Sequence, residues 1–351
     1  MNNRERVDAL LSRKKPDRVP IFPFGAGFSL VNKNKPIVAA YNDPEMAISA
    51  LQKTTDEFDW IFCPSLNYAV VGAWEFGGEI KWPDGEYSQA PTVKRYPIET
   101  PEEVMSLTLP NIPEAGMIPT QKTYYDKTAQ MEADNMPWKV IFQMEGCFSF
   151  AANISGGNKF FRWVLKHPDK AERMLRLSTD FLVESARYWK SLYGTERVMP
   201  WGGAPQSSNQ VISPKHFEKL ALPYIKECHE KVLDMGFKTI FKHICGEHNQ
   251  NLPFWSQIPM GDPGIVSFGQ EVELETAAKY FPNDIVMGNL NPTLIQTGTV
   301  EEVYQASREV IEKGKQLDTG FIFGPGCGLP PMAPAENVLA MTRAANDFGW
   351  Y

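Results

Sequence analysis

Eight short apolar runs are spaced along the chain, and each is three to six residues long, as buried strands are. Most of the segments between them carry apolar residues every three or four positions, which is typical of helices with one buried face. The predicted strands are residues 19–24, 60–63, 140–144, 198–201, 239–242, 265–268, 285–287 and 321–323. The clearest predicted helices are residues 44–58, 159–192, 214–235, 274–280 and 300–315.

A strand followed by a helix, repeated along the chain, is the pattern of a parallel sheet with crossover helices. Eight such units predict an α/β fold of the TIM (β/α)8 barrel type. We expect residues 1–351 to form a single barrel domain with a helical extension at the N-terminus. A doubly wound open sheet is the structural alternative, but the first predicted strand is followed by no glycine-rich dinucleotide-binding turn, and this favours the closed barrel.

Two long segments depart from the simple rhythm. Residues 64–137 are rich in Pro, Gly, Tyr and acidic residues, and we interpret them as an elaborated loop with a small helical subdomain. Because loops that follow barrel strands lie on the catalytic face, this insertion is expected to cover the barrel mouth. Residues 145–195 are predicted to hold two helices around Gly156-Gly157, the second beginning at His167-Pro168-Asp169.

Charge and composition narrow the classes of partner. Lys and Arg number 35 against 42 for Asp and Glu, a net charge of −7, which argues against nucleic acid or an anionic membrane as the main partner. No apolar run approaches the about 20 residues of a membrane helix, and Met1 is followed by no apolar signal region, so a cytoplasmic protein is expected. The five scattered cysteines indicate reduced thiols, some of them candidate metal ligands. The sequence also leaves open whether the chain forms a homodimer.

Three residues near the ends of predicted strands form a candidate metal site. His243 and Cys245 follow the fifth strand and, being two positions apart in extended chain, can face one spot. Cys327 follows the eighth strand in a glycine-rich turn, and a barrel allows it to reach the same spot. One imidazole and two thiolates are good ligands for Zn²⁺, with a fourth position left open for catalysis. The alternative is that both cysteines are small core residues and His243 is a hydrogen-bonded strand-end residue.

Other strand-end residues are candidates for catalysis or substrate binding. Glu145 ends the third strand and is predicted to be a general acid or a displaceable metal ligand; a carboxylate bonded to backbone amides is the alternative. Asn289, after the seventh strand, is a candidate catalytic residue that could orient a substrate, and Asn209 a candidate substrate ligand, although turn formation explains both equally well. Phe24 and Trp201 are candidate substrate-binding residues in an aromatic mouth.

Several motifs carry a family resemblance. They are Arg4-Glu5-Arg6-Val7-x-Ala9-Leu10 with Pro16-Asp17-Arg18-Val19-Pro20, Ile212-Ser213-Pro214-x-x-Phe217 with Pro223-Tyr224, His243-Ile244-Cys245-Gly246, and Gly326-Cys327-Gly328 followed by Pro334-x-Glu336-Asn337. The chain resembles the uroporphyrinogen decarboxylase superfamily and, more closely, its zinc-dependent corrinoid methyltransferases. That resemblance implies a TIM barrel with His243, Cys245 and Cys327 as zinc ligands. The decarboxylase itself fits poorly, because its arginine-rich segment after the first strand has no counterpart here.

The methyltransferase resemblance implies two substrate types. The aromatic mouth favours O-demethylation, in which the methyl group of a small methoxylated aromatic passes to cobalt(I). The alternative is transfer from a methylcorrinoid to a small thiol, as in enzymes of the coenzyme M type; a decarboxylase-like lyase is more remote. The resemblance also implies that a separate partner protein supplies the corrinoid, because no histidine of the chain lies in the corrinoid-binding pattern Asp-x-His-x-x-Gly.

Overall fold

The computed structural model of the chain describes residues 1–85 and 90–351. Two short strands, β1 (Glu79–Lys81) and β2 (Thr92–Arg95), pair in antiparallel orientation as a hairpin. The other described strands form one parallel sheet in the order β3 to β8. These are β3 (Val140–Gln143), β4 (Val198–Gly203), β5 (Phe241–Ile244), β6 (Ile265–Phe268), β7 (Ile285–Leu290) and β8 (Phe321–Pro325). They correspond to six of the eight predicted strands, with ends shifted by up to three residues.

The first two predicted strands, 19–24 and 60–63, are irregular segments and not strands. Pro20, Pro23 and Pro64 lie in or beside them, and proline has no amide hydrogen for a ladder. Both segments still occupy the gap between β8 and β3. The contacts that bridge this gap are Phe22 N to Phe323 O at 2.8 Å, Phe323 N to Pro20 O at 2.9 Å, Ile61 N to Ile21 O at 2.9 Å, and a parallel bridge between Ser65 and Ile141. The fold is therefore the predicted (β/α)8 barrel.

The helices lie mostly between successive strands, as crossover connections require. Their bounds are α1 Asn3–Leu11, α2 Ala26–Asn32, α3 Ala39–Asn42, α4 Pro44–Glu57, α5 Ile118–Thr128, α6 Cys147–Ser155, α7 Gly157–Lys166, α8 Pro168–Tyr193, α9 Pro214–His216, α10 Leu222–Asp234, α11 Leu252–Trp255, α12 Leu274–Tyr280, α13 Pro292–Thr297, α14 Val300–Gly314 and α15 Ala335–Phe348. Short 3₁₀ turns cover Glu103–Ser106, Ile112–Glu114 and Pro205–Ser207. Among the described residues, none of the helices combines the length and the hydropathy that a membrane-spanning segment needs.

Two helix predictions need correction. Residues 145–195 hold three helices and not two, because the chain is interrupted at Gly156, which has φ +85°, and again before Pro168. The predicted helix 214–235 is broken by a π-helical turn at Phe217–Ala221. Pro223 has no amide hydrogen to donate to the carbonyl four residues earlier, so regular α-helical bonding cannot run through this turn.

Apolar side chains fill the barrel and leave one end open. The barrel interior holds a cluster that includes Ile141, Met199, Phe241 and Ile322 from the strands, and the N-terminal helix α1 joins it through Val7 and Leu10. A Cβ added at Gly320, directly before β8, would lie 3.0 Å from Leu10 Cδ2. Helix α1 therefore covers the amino end of the strands, and the mouth is at their carboxyl end.

Segment 64–137 contains the β1–β2 hairpin and helix α5, and a buried carboxylate ties its parts together. Glu75 is 5% exposed and accepts hydrogen bonds from Tyr68 OH, from Gly72 N at 2.7 Å and from Met117 N at 3.2 Å. Burial raises the pKa of the Glu75 carboxyl, and the three donors oppose this rise. These contacts fix the position of Tyr68, which lines the cavity described below. The boundaries of the insertion stay a prediction.

Candidate metal centre

His243, Cys245 and Cys327 lie together at the carboxyl end of the barrel, as their sequence positions predicted. Their ligand atoms all lie within 4.8 Å of one another. His243 lies inside β5, which runs two residues beyond its predicted end, Cys245 follows that strand, and Cys327 lies two residues after β8. The alternation of side chains along extended backbone places His243 and Cys245 on one side, and the barrel brings Cys327 to them from across the ring.

The donor set and its spacing fit a zinc ion. The two sulfurs are 3.8 Å apart, and a tetrahedral zinc with Zn–S bonds of about 2.3 Å would separate its sulfurs by about 3.8 Å. His243 Nδ1 is 2.9 Å from Ser267 Oγ, whereas the buried Nε2 has no hydrogen-bond partner among the described residues. Ser267 thus orients the ring and leaves Nε2 available to a metal. Their role as zinc ligands stays a prediction.

The electrostatics of the two thiols also favour a cation. The contact between Cys245 Sγ and Cys327 Sγ, together with the nearby His243 ring, lowers the pKa of the Cys327 thiol. The pKa of Cys245 is raised by the same contact and by burial. The first proton therefore leaves the pair easily, whereas a second thiolate beside the first requires a positive ion.

Glu145 lies in the wall of the same cavity as the cluster. The residue is 7% exposed, and its Oε2 accepts a hydrogen bond from Gly203 N at 3.3 Å. Burial raises the pKa of the Glu145 carboxyl to about 7, against the opposing charge of Lys242. A carboxyl with this pKa can hold or release a proton near neutral pH, as a general acid or base must.

The cavity at the barrel mouth has a volume of about 340 Å³ and a mainly apolar wall. Phe24 and Trp201 both contribute to it, as predicted, with their ring centroids 5.9 Å apart. The Phe24 ring centroid is also 5.3 Å from that of His243. Segment 64–137 contributes Ser65, Leu66, Asn67, Tyr68, Ala69, Ala90 and Tyr124. The cluster therefore opens into an aromatic cavity.

Neither of the predicted asparagines belongs to this wall. Asn289 is inside β7, and its Nδ2 donates to Gly269 O at 3.2 Å and to Val272 O at 2.8 Å. Asn209 Oδ1 accepts from Gln250 N at 3.1 Å. Both side chains form hydrogen bonds with the backbone of loops, as the turn-forming alternative expects. Their roles in catalysis and substrate binding stay predictions without support from this geometry.

Sequence reasoning missed two polar residues near the site. Lys242 is fully buried in β5, and its Nζ donates to Met144 O at 3.0 Å, next to Glu145. The sequence did contain a signal for Lys242, because it is a lysine inside a predicted buried strand. Burying an ammonium group without a partner is unfavourable in free energy, so a lysine at such a position indicates a polar partner nearby. Asn67 lines the cavity, but it lies in an irregular segment where no periodicity marks a side chain as buried.

Comparison with known proteins agrees with this architecture. A family model of uroporphyrinogen decarboxylase (URO-D) matches residues 2–348. Methylcobamide:CoM methyltransferase MtbA of Methanosarcina acetivorans is 28% identical over 281 residues, which cover 78% of this chain and 76% of that protein. The methylated-thiol–coenzyme M methyltransferase of Methanosarcina mazei is 27% identical over 268 residues, which cover 75% of this chain and 67% of that protein. A solved methyltransferase from Methanosarcina mazei aligns with a TM-score of 0.79 over 99% of both chains, at 20% identity.

The fold and the cluster define a barrel enzyme whose catalytic face carries a candidate metal centre of one histidine and two cysteines. The chain belongs to the uroporphyrinogen decarboxylase (URO-D) family. Its similarity to methylcobamide:CoM methyltransferases supports the corrinoid methyltransferase branch that the sequence resemblance indicated. The match to the solved structure supports the barrel fold.

Proposed function

We propose that the chain is a zinc-dependent methyltransferase that moves a methyl group between a corrinoid on a partner protein and a heteroatom held at the cluster. The observation that carries the proposal is the convergence of the His243, Cys245 and Cys327 ligand atoms within 4.8 Å, beside a mainly apolar cavity. When bound there, zinc would supply Lewis acidity that lowers the pKa of a thiol or stabilises charge on an ether oxygen.

A thiol is the methyl acceptor that the comparisons support best. The two relatives described above are named for coenzyme M, and one of them also for methylated thiols. In this reaction the sulfur–carbon bond forms as the cobalt–carbon bond of methyl–cobalt(III) breaks and cobalt(I) leaves. Glu145 would take the proton of the thiol, because its pKa of about 7 is close to neutral pH.

Demethylation of an aryl methyl ether is the second candidate, and the aromatic wall favours it. Phe24 and Trp201 lie in the cavity beside the cluster and offer flat apolar surfaces to an arene. Here the methyl–oxygen bond would break as the carbon–cobalt bond forms, and protonated Glu145 would donate its proton to the leaving oxygen. The sequence analysis favoured ether demethylation over the thiol reaction. The relatives described above are named for thiol substrates, so we now place ether demethylation second.

Absorption spectroscopy with free cobalamin separates the two reactions. For thiol methylation, zinc-loaded protein should convert methylcob(III)alamin to cob(I)alamin when propanethiol is added. For ether demethylation, it should convert cob(I)alamin to methylcob(III)alamin when guaiacol is added. Either activity should disappear on chelation, return with zinc and be lost in Cys327→Ala. No zinc-dependent change in either direction would contradict the proposed function.

A further inference from the structure

The cavity wall offers no positive side chain to a substrate. Its described residues include neither lysine nor arginine, and the sequence of residues 86–89, Glu-Tyr-Ser-Gln, contains neither. The buried Lys242 does not line the cavity, and its Nζ donates to Met144 O. One neutral imidazole and two thiolates balance the charge of a divalent zinc, so a loaded cluster would add no excess positive charge.

A substrate with an anionic group would therefore lose its hydration without gaining a counter-charge. Removing an ion from water into a mainly apolar cavity is strongly unfavourable unless it is paired. Glu145 adds to this penalty whenever it is ionised, because its carboxylate lies in the same wall. The charge distribution thus selects against anions.

The wall does offer uncharged hydrogen-bonding groups that have no partner. Both Nδ2 and Oδ1 of Asn67 are shielded from solvent and without a hydrogen-bond partner among the described residues, and so is Nε1 of Trp201. Buried amides in folded proteins are nearly always paired. A bound molecule that supplies an acceptor and a donor would satisfy these groups.

Hydrogen bonds from two glutamine side chains fix the backbone on both sides of Asn67. Gln121 Nε2 donates to Leu66 O at 2.9 Å, and Gln143 both donates to Tyr68 O at 2.7 Å and accepts from Tyr68 N at 3.2 Å. Such fixed backbone favours recognition, because little conformational freedom is lost on binding. Asn67 follows the second position of the barrel ring, two positions from β8 and three from β5.

We propose that this site selects uncharged substrates and that Asn67 is the specificity-determining residue that binds their polar group away from the reacting atom. The inference rests on the proposed function, because it takes the reacting heteroatom to bind at the cluster. It names a substrate class, neutral molecules with an apolar body and a terminal amide or hydroxyl. It excludes sulfonated thiols such as coenzyme M itself.

Calorimetric titration of the zinc-loaded protein with two matched thiols tests the proposal. The probes are 3-mercaptopropanamide and 3-mercaptopropanoate, which have nearly the same shape and differ in charge. The amide should bind at least about tenfold more tightly, the effect of one buried polar interaction. Equal affinities, or tighter binding of the carboxylate, would overturn the proposal while leaving the proposed function intact. Absence of zinc-dependent binding of either thiol would contradict the thiol reaction of the proposed function and this inference together.

Two variants assign the selectivity to Asn67. Asn67→Leu should weaken binding of the amide about tenfold and leave the zinc content unchanged, whereas the exposed Asn111→Leu should change neither. Asn67→Lys should reverse the preference toward 3-mercaptopropanoate, which a merely structural role would not do. Full amide affinity in Asn67→Leu, or an unchanged preference in Asn67→Lys, would overturn the assignment.

Discussion

Replacing Glu145 by glutamine should change how the stability of the metal-free protein depends on pH. Burial raises the pKa of this carboxyl from 4.5 to about 7 in the folded protein. The folded state therefore binds the proton more tightly than the unfolded state. This contribution to stability is complete below the unfolded-state pKa and is lost as the pH rises through about 7.

The magnitude follows from the size of the pKa change. Each pKa unit corresponds to about 1.4 kcal/mol, so ionisation of Glu145 costs the folded protein roughly 3 kcal/mol at high pH. Most of this cost, roughly 2 to 3 kcal/mol, develops between about pH 5 and about pH 8. Glutamine keeps the shape and cannot ionise, so Glu145→Gln should gain that amount relative to the wild type over this interval.

Urea unfolding at several pH values measures this difference directly, because both proteins share every other titrating group. The exposed Glu309→Gln on α14 is the matched control, and its stability should follow that of the wild type. Parallel stability curves for Glu145→Gln and the wild type between about pH 5 and about pH 8 would refute the reasoning. Such a result would mean that the buried carboxyl is ionised in the folded protein at no cost.

Three further predictions concern the cluster and the fold. Cys327→Ala should remove most of the bound zinc while circular dichroism shows a folded barrel. Cys63 lies in the same cavity wall but outside the cluster, so Cys63→Ala should keep the metal. Full zinc occupancy in Cys327→Ala would refute the ligand assignment. Gly202→Ala should lose at least about 3 kcal/mol in urea unfolding, because the added Cβ would overlap the backbone carbonyl oxygen of Met144. A Cβ added at Gly85 meets no atom of the described residues within 4 Å, so Gly85→Ala should change stability by less than about 1 kcal/mol; equal stabilities of the two variants would contradict this. Glu75→Gln should cost about 2 kcal/mol, since an amide nitrogen would then face a hydrogen-bond donor, and an unchanged urea midpoint would count against the network.

Local sequence patterns predicted only part of the candidate metal centre. The His-x-Cys pair was visible as a local pattern in an extended segment, because residues two apart share one side of a strand. The choice of Cys327 as the third member came from its place after the last strand and from the family resemblance. Cys63 also lines the cavity but lies outside the cluster, and no local pattern separates these two cysteines.

By itself, the sequence determined the repeating strand–helix units and hence the barrel, because apolar periodicity is a local property that each segment carries alone. It did not determine how the ring closes, since segments 19–24 and 60–63, which have prolines in or beside them, pair only through isolated contacts with chain far away in sequence. Only the tertiary structure decided which polar groups are left unpaired in the cavity, Asn67 among them, and which are used to hold loops, as Asn289 is. The physical reason is that a side chain's hydrogen-bond partners, burial and neighbouring charges come from strands brought together by the fold, and none of these is encoded in its own segment.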